Sequence, residues 1–223
     1  GTYFSEGKGR TLQAYLSAKE WDDFTHFEGN ANAFRLLTHQ FQGRRPGGFV
    51  LTYATLAAIV KYPFSSQLAG SKQKFGFFTS EEEAFQKIAH ELGLKKISKE
   101  GEPLKYCRHP LVYLVEAADD ICYEIMDIED SHKLKILSYE ETERLLLGFF
   151  DKETQNKIKE RIKEEGVTDE NEKVVYMRAS AIGRLENECV TAFLEHEKEI
   201  LAGTFEGSLI DHIAEQQRNA YKE

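Results

Sequence analysis

Apolar residues recur at spacings of three and four over long stretches of this chain, and only 4 prolines interrupt its 223 residues. A stripe of that period closes on one face of a helix but scatters over both faces of a strand, so the pattern selects an all-α architecture. Two starts are written as a hydroxyl followed three residues on by a glutamate: Ser80 with Glu83, and Ser138 with Glu141 ahead of Leu145, Leu146 and Leu147. Pro110 suits a first helical turn, where its missing N–H costs nothing, and it precedes an apolar run over residues 111–126. Further helices are expected over 28–40, 52–61, 84–94, 152–165, 173–201 and 208–221, with glycine-containing breaks at 42–48, 67–76 and 165–171. Residues 1–20 carry no decisive pattern, and Glu6-Gly7-Lys8-Gly9-Arg10 reads as a polar loop.

Hydrophobic residues make up 41% of the chain, enough for a real core. The 38 acidic against 29 basic residues leave a net charge of -9, which disfavours a surface that wraps nucleic acid and confines any phosphate site to a local basic pocket. Cys107, Cys122 and Cys189 are widely spaced and contain no C-x-x-C pair, so neither a disulfide framework nor a zinc cluster is expected. With no apolar run near the roughly 20 residues a bilayer needs, no membrane association is expected, and the chain reads as cytoplasmic. It starts at Gly1 rather than methionine and stops in the helical-looking Tyr221-Lys222-Glu223, the expectation being a piece cut from a longer protein.

The stretch from Glu116 to Asp127, EAADDICYEIMD, is rich in acids where apolar residues would be ordinary. At about 100° per residue, Asp119, Tyr123 and Asp127 form one polar stripe able to face a single ligand. Leu114, Val115, Ala118, Ile121, Cys122, Ile125 and Met126 distribute around the rest of the turn, so a semi-buried stripe is expected, its carboxylates relieved by a metal ion or a ligand hydroxyl. The competing reading is a solvated acidic face.

Lys61-Tyr62-Pro63 and Lys74-Phe75-Gly76 put two lysines near irregular backbone that could close over an anion, although lysines are commonly just exposed. Glu28-Gly29-Asn30 at a helix start would offer N–H groups to an anion or act as a cap. The seven histidines show no ligand spacing such as H-E-x-x-H. Arg44 and Arg45 make a small basic loop beside Pro46-Gly47-Gly48, and Arg178 and Arg184 sit on a helix where they could meet a base or an effector or simply lie exposed.

Phe27-Glu28-Gly29-Asn30-Ala31, Leu51-Thr52-Tyr53-Ala54-Thr55-Leu56, Lys61-Tyr62-Pro63, Arg108-His109-Pro110-Leu111 and Glu116-Ala117-Ala118-Asp119-Asp120-Ile121 occur in that order. Through them the chain resembles bacterial dGTPase-like deoxynucleoside triphosphate triphosphohydrolases of the HD superfamily over most of residues 1–137. The resemblance implies a partial HD-domain-like helical bundle in 1–137, the C-terminal part of a catalytic domain, followed by a helical C-terminal extension over 138–223. It implies hydrolysis of a deoxynucleoside triphosphate, dGTP foremost, to the deoxynucleoside and inorganic triphosphate, with a divalent metal such as Mg or Mn.

Residue by residue, the resemblance makes Asp119 the last metal ligand of an H…HD…D set, packs Tyr123 on the deoxyribose and puts Asp127 near its 3′-hydroxyl. It sets Asn30, Lys61, Tyr62 and Lys74 around the triphosphate. The sequence contains no His-Asp dipeptide, so the resemblance would put the remaining ligands and the catalytic histidine and glutamate ahead of Gly1, and the chain alone is expected to be inactive. Homo-oligomerisation, a nucleotide effector and weak binding of single-stranded DNA complete the expectations, the alternative function being a nucleotide-regulated or strand-binding module without catalysis.

Overall fold

The computed structural model describes residues 2–43, 46 and 48–223. The fold is all-α, as the apolar spacing requires: eleven helices among the described residues are joined by short 3₁₀ turns, and only isolated bridges link Phe64 with Lys105, Ser65 with Phe77 and Lys96 with Tyr106. The chain divides into two compact units, Gly1–Val112 with Leu201–Thr204, and Tyr113–Ile200 with Phe205–Glu223.

In the first unit lie α1 (Thr2–Ser5), α2 (Ala18–Thr25), α3 (Gly29–Thr38), α4 (Tyr53–Ala58) and α5 (Glu82–Glu91). Phe34 of α3 and Phe85 of α5 are fully buried with Phe77 and Val60, and the Phe77 and Phe85 rings stack with centroids 4.6 Å apart. Helix α2 falls in a stretch without a clear sequence pattern, yet Ser17 and Glu20 cap it reciprocally, the Glu20 amide donating to the Ser17 hydroxyl and the Ser17 amide to the Glu20 carboxylate. The Ser80 cap does not form. Helix α5 starts at Glu82 with Glu81 at its cap position, and the Ser80 hydroxyl instead accepts from Arg35 Nη1 and donates to the Glu81 carboxylate. Helix α4 ends at Ala58, short of the expected 61, and the chain turns through Pro63 into the bridged residues Phe64 and Ser65.

The second unit is built on two long helices, α6 (Pro110–Lys133), which enters it at Tyr113, and α9 (Glu170–Glu195), with α7 (Tyr139–Leu147) and α8 (Lys152–Glu164) packed on α9. Helix α9 buries Val174, Met177, Ala181, Leu185, Cys189 and Ala192, a row at spacings of three and four that meets Leu146, Phe149 and Ile125. Ser138 and Glu141 form the expected reciprocal cap of α7. The expected helix over 173–201 breaks at His196, after which α10 (Glu197–Ala202) begins anew. The one expected over 208–221 is interrupted by the extended Ile213, whose buried side chain seals the core between a 3₁₀ turn (Leu209–His212) and α11 (Glu215–Lys222).

Candidate functional site

The residues singled out by sequence fall in different units: Asn30, Lys61, Tyr62 and Lys74 in the first, Asp119, Tyr123 and Asp127 in the second.

In the first unit the chain enters α3 through Glu28, which is 5% exposed. Its Oε2 accepts from the amides of Asn30 at 2.5 Å and Ala31 at 3.1 Å, so a carboxylate already occupies the positive end of the helix. The Asn30 contribution open to a ligand is therefore its half-buried side-chain amide rather than its backbone N–H. The other oxygen of Glu28, Oε1, accepts from Lys74 Nζ at 3.1 Å, which brings Lys74 to the start of α3 beside Asn30. The Lys74 segment also runs against the Lys61 segment. Gly76 donates its amide to the Phe64 carbonyl at 3.0 Å, and a Cβ on Gly76 would fall 2.2 Å from the Tyr62 carbonyl oxygen, an approach only glycine permits. Lys61 and Tyr62 are half-buried there, with the Lys61 ammonium 5.9 Å from the Tyr62 ring centroid. The geometry thus links Asn30 with Lys74 through one carboxylate, and the 61–62 backbone with the 74–76 strap through one glycine. The Glu28 clamp was not legible beyond its cap signature, because its second partner is 46 residues away.

In the second unit Asp119, Tyr123 and Asp127 form the expected stripe on α6, but all three are exposed, Tyr123 to 67%. The semi-burial expected of them is not found, for a geometric reason. Helix α6 packs on one side only, burying the row Tyr113, Ala117, Ile121, Ile125 and Glu129, and a stripe displaced by two residues lies about 200° around the helix from that row. Val115, Ala118, Cys122 and Met126, expected to be packed, are exposed as well. Next to the stripe, burial and then the Asp127 charge hold the Glu124 carboxyl above its usual range.

The buried acid of α6 is Glu129, which sequence reasoning missed. It is 2% exposed, accepts from Lys133 Nζ at 2.9 Å and pairs closely with Arg178 of α9. Burial pushes its pKa up, but the bonds from Arg178 and Lys133 outweigh that and hold it below the usual carboxylate range. Arg178 is thereby committed to an internal pair, and Arg184 bonds Glu188 one turn on at 2.8 Å, so both arginines already have acidic partners. Arg44 and Arg45 lie outside the described residues.

No group of three or more His, Cys, Asp or Glu side chains among the described residues could hold a metal ion. One exposed carboxylate, Asp119, does not make a divalent-metal site, which needs several preset oxygen or nitrogen donors. Nor does a nucleophilic cysteine emerge: Cys189 lines a 290 Å³ groove with Cys122, Ala118 and Ile182, and burial followed by the charges of Asp120 and Glu188 pushes its thiol up to about 11. A larger concavity of 540 Å³ in the first unit is walled by Phe24, Phe27 and Phe78 with Asp23, Asn32 and Arg35, of which only Phe27 belongs to a motif singled out in the sequence. No helix among the described residues is long and apolar enough to cross a membrane.

Three proteins illustrate what the sequence is similar to. A deoxyguanosinetriphosphate triphosphohydrolase-like protein of Pseudomonas aeruginosa is 39% identical over 220 residues, 95% of this chain and 47% of its own length. One of the same name from Synechocystis is 39% identical over 207 residues, 89% of this chain and 44% of its own. A deoxyguanosinetriphosphate triphosphohydrolase of Yersinia enterocolitica is 29% identical over 222 residues, 92% of this chain and 41% of its own. No protein-family model matches the chain. The chain spans about half the length of the curated relatives it matches.

Proposed function

We propose that this chain, which belongs to the deoxyguanosinetriphosphate triphosphohydrolase-like family, supplies the sugar-facing and phosphate-facing residues with which a longer protein hydrolyses a deoxynucleoside triphosphate, dGTP foremost, to the deoxynucleoside and inorganic triphosphate. The observation that carries this reading is the cradle at the start of α3. There one buried carboxylate gathers Asn30 and Lys74, and Gly76 brings the Lys74 strap against Lys61 and Tyr62. Two ammonium groups, an amide and a phenol turned to one ligand would neutralise and orient a polyphosphate chain, holding phosphorus in line for attack at low reorganisation cost.

In the same reading Tyr123 lies along the deoxyribose and Asp127 accepts from its 3′-hydroxyl, while Asp119 is one donor to a divalent ion such as Mg or Mn whose other donors lie outside this chain. Exposure of the stripe leaves it open to a ligand, and the want of three clustered donors among the described residues supports inactivity of the chain by itself. Assembly into a homo-oligomer, a nucleotide effector and a cytoplasmic location belong to the same reading. The test is ³¹P NMR of products from dGTP turned over by a full-length protein containing this sequence: inorganic triphosphate is expected as the sole phosphorus product, and pyrophosphate or orthophosphate as the first product overturns the assignment.

A second reading, a module that holds a nucleotide or weakly binds single-stranded DNA without catalysis, draws on Lys95, Lys96, Lys99 and Lys105, all exposed around the Lys96–Tyr106 bridge. Affinity for a single strand that falls steeply with salt, in a protein that releases no triphosphate, would favour it.

A further inference from the structure

We infer that Glu28 is a positioning residue for Lys74, holding its ammonium against the start of α3 so that Lys74 and Asn30 meet a polyphosphate as one preset pair; this rests on the phosphate-cradle reading above. A carboxylate inside an anion site is electrostatically perverse. Its charge repels the ligand, and it occupies the helix N-terminus that would otherwise receive a phosphate oxygen. The geometry supplies the compensation. Glu28 is nine-tenths buried and uses its two oxygens differently, Oε2 accepting from the Asn30 and Ala31 amides and Oε1 accepting from Lys74 Nζ at 3.1 Å. Lys74 sits in an exposed strap and follows Gln73, whose φ of 52° puts a non-glycine residue in the left-handed region. The Lys74 side chain is 46% exposed, so without Oε1 a lysine with four rotatable bonds would sweep through solvent. The charge-assisted bond to Glu28 removes that freedom before the ligand arrives, which is how a fixed point charge gains over a mobile one.

Two roles predict opposite signs. If Glu28 merely neutralises Lys74, removing its charge tightens polyphosphate binding; if it positions Lys74, removal weakens it. Glu28→Gln separates them, because the amide oxygen can still accept from the α3 amides while the carboxylate that holds Lys74 is gone. The experiment measures inorganic tripolyphosphate binding by calorimetry for the 223-residue chain, Glu28→Gln, Lys74→Met and the double variant, with thermal unfolding of each. Binding weakened roughly tenfold by Glu28→Gln, and a double variant no weaker than Lys74→Met within about twofold, is the expected result, since effects acting through one contact do not add. Unchanged or tighter binding by Glu28→Gln, or losses that add fully, overturns the inference while leaving the cradle in place. Failure of the unsubstituted chain to bind tripolyphosphate overturns the cradle and this inference together.

Discussion

The two groups of candidate residues, one in each compact unit, are built by opposite means. At the start of α3 the polar groups are organised before any ligand is present: Glu28 is buried, both its oxygens are used, and Gly76 lets two backbone segments touch. On α6 the stripe Asp119, Tyr123 and Asp127 stands exposed on the side opposite the row that the helix buries. A group that the fold uses costs stability when removed, whereas a group kept for a ligand costs activity alone, and substitutions can separate the two.

The largest stability effect should come from the one buried acid of α6. Arg178→Met leaves Glu129 to the partly exposed Lys133 and should cost about 3 kcal/mol near pH 7, read by chemical denaturation. The sign with pH follows from its lowered folded pKa. Stability from Glu129 is complete above its ordinary value of 4.5 and is lost as pH falls through the lower folded value, so the penalty of Arg178→Met should shrink below about pH 4.5. A penalty that grows on acidification would contradict this pairing.

Asp119→Ala sits at the other pole of the comparison. In a full-length protein containing this sequence it should lower dGTP turnover by roughly a hundredfold or more, while unfolding stability stays within about 0.5 kcal/mol, as for an exposed site. Turnover that survives would reduce the stripe to a wet face. Glu28→Ala should instead cost about 2 kcal/mol of stability, because a helix cap and the anchor of Lys74 vanish together. Equal melting temperatures for Glu28→Ala and Asp119→Ala would erase the distinction between the two regions.

The helices were legible because apolar spacing is a local signal: α7 with its reciprocal cap and the buried row of α9 follow directly from it. The Ser80 cap failed because a tertiary partner, Arg35, 45 residues away, took its hydroxyl. The stripe was visible but its burial was not, since periodicity groups residues on a face without saying which face packs. The Glu28–Lys74 clamp and the burial of Glu129 stayed hidden for a related reason: a buried acid is recognised by its cationic partners, and Lys74 and Arg178 are joined to them only by the fold.

A contrast within the second unit concerns its cysteines. Cys122 is exposed and Cys189 buried with its thiol pushed from 9.0 up to about 11, so near pH 8 a thiol reagent should label Cys122 at least about a hundred times faster, and comparable rates would mean that the helix packing opens readily.

Whether this chain carries the phosphate side of a triphosphohydrolase site is decided by titrating the 223-residue chain with dGTP and with deoxyguanosine under identical salt. If Asn30, Lys61, Tyr62 and Lys74 meet the phosphates as proposed, dGTP binds at least about tenfold more tightly. Equal affinity for the two, or no binding of dGTP, would contradict it.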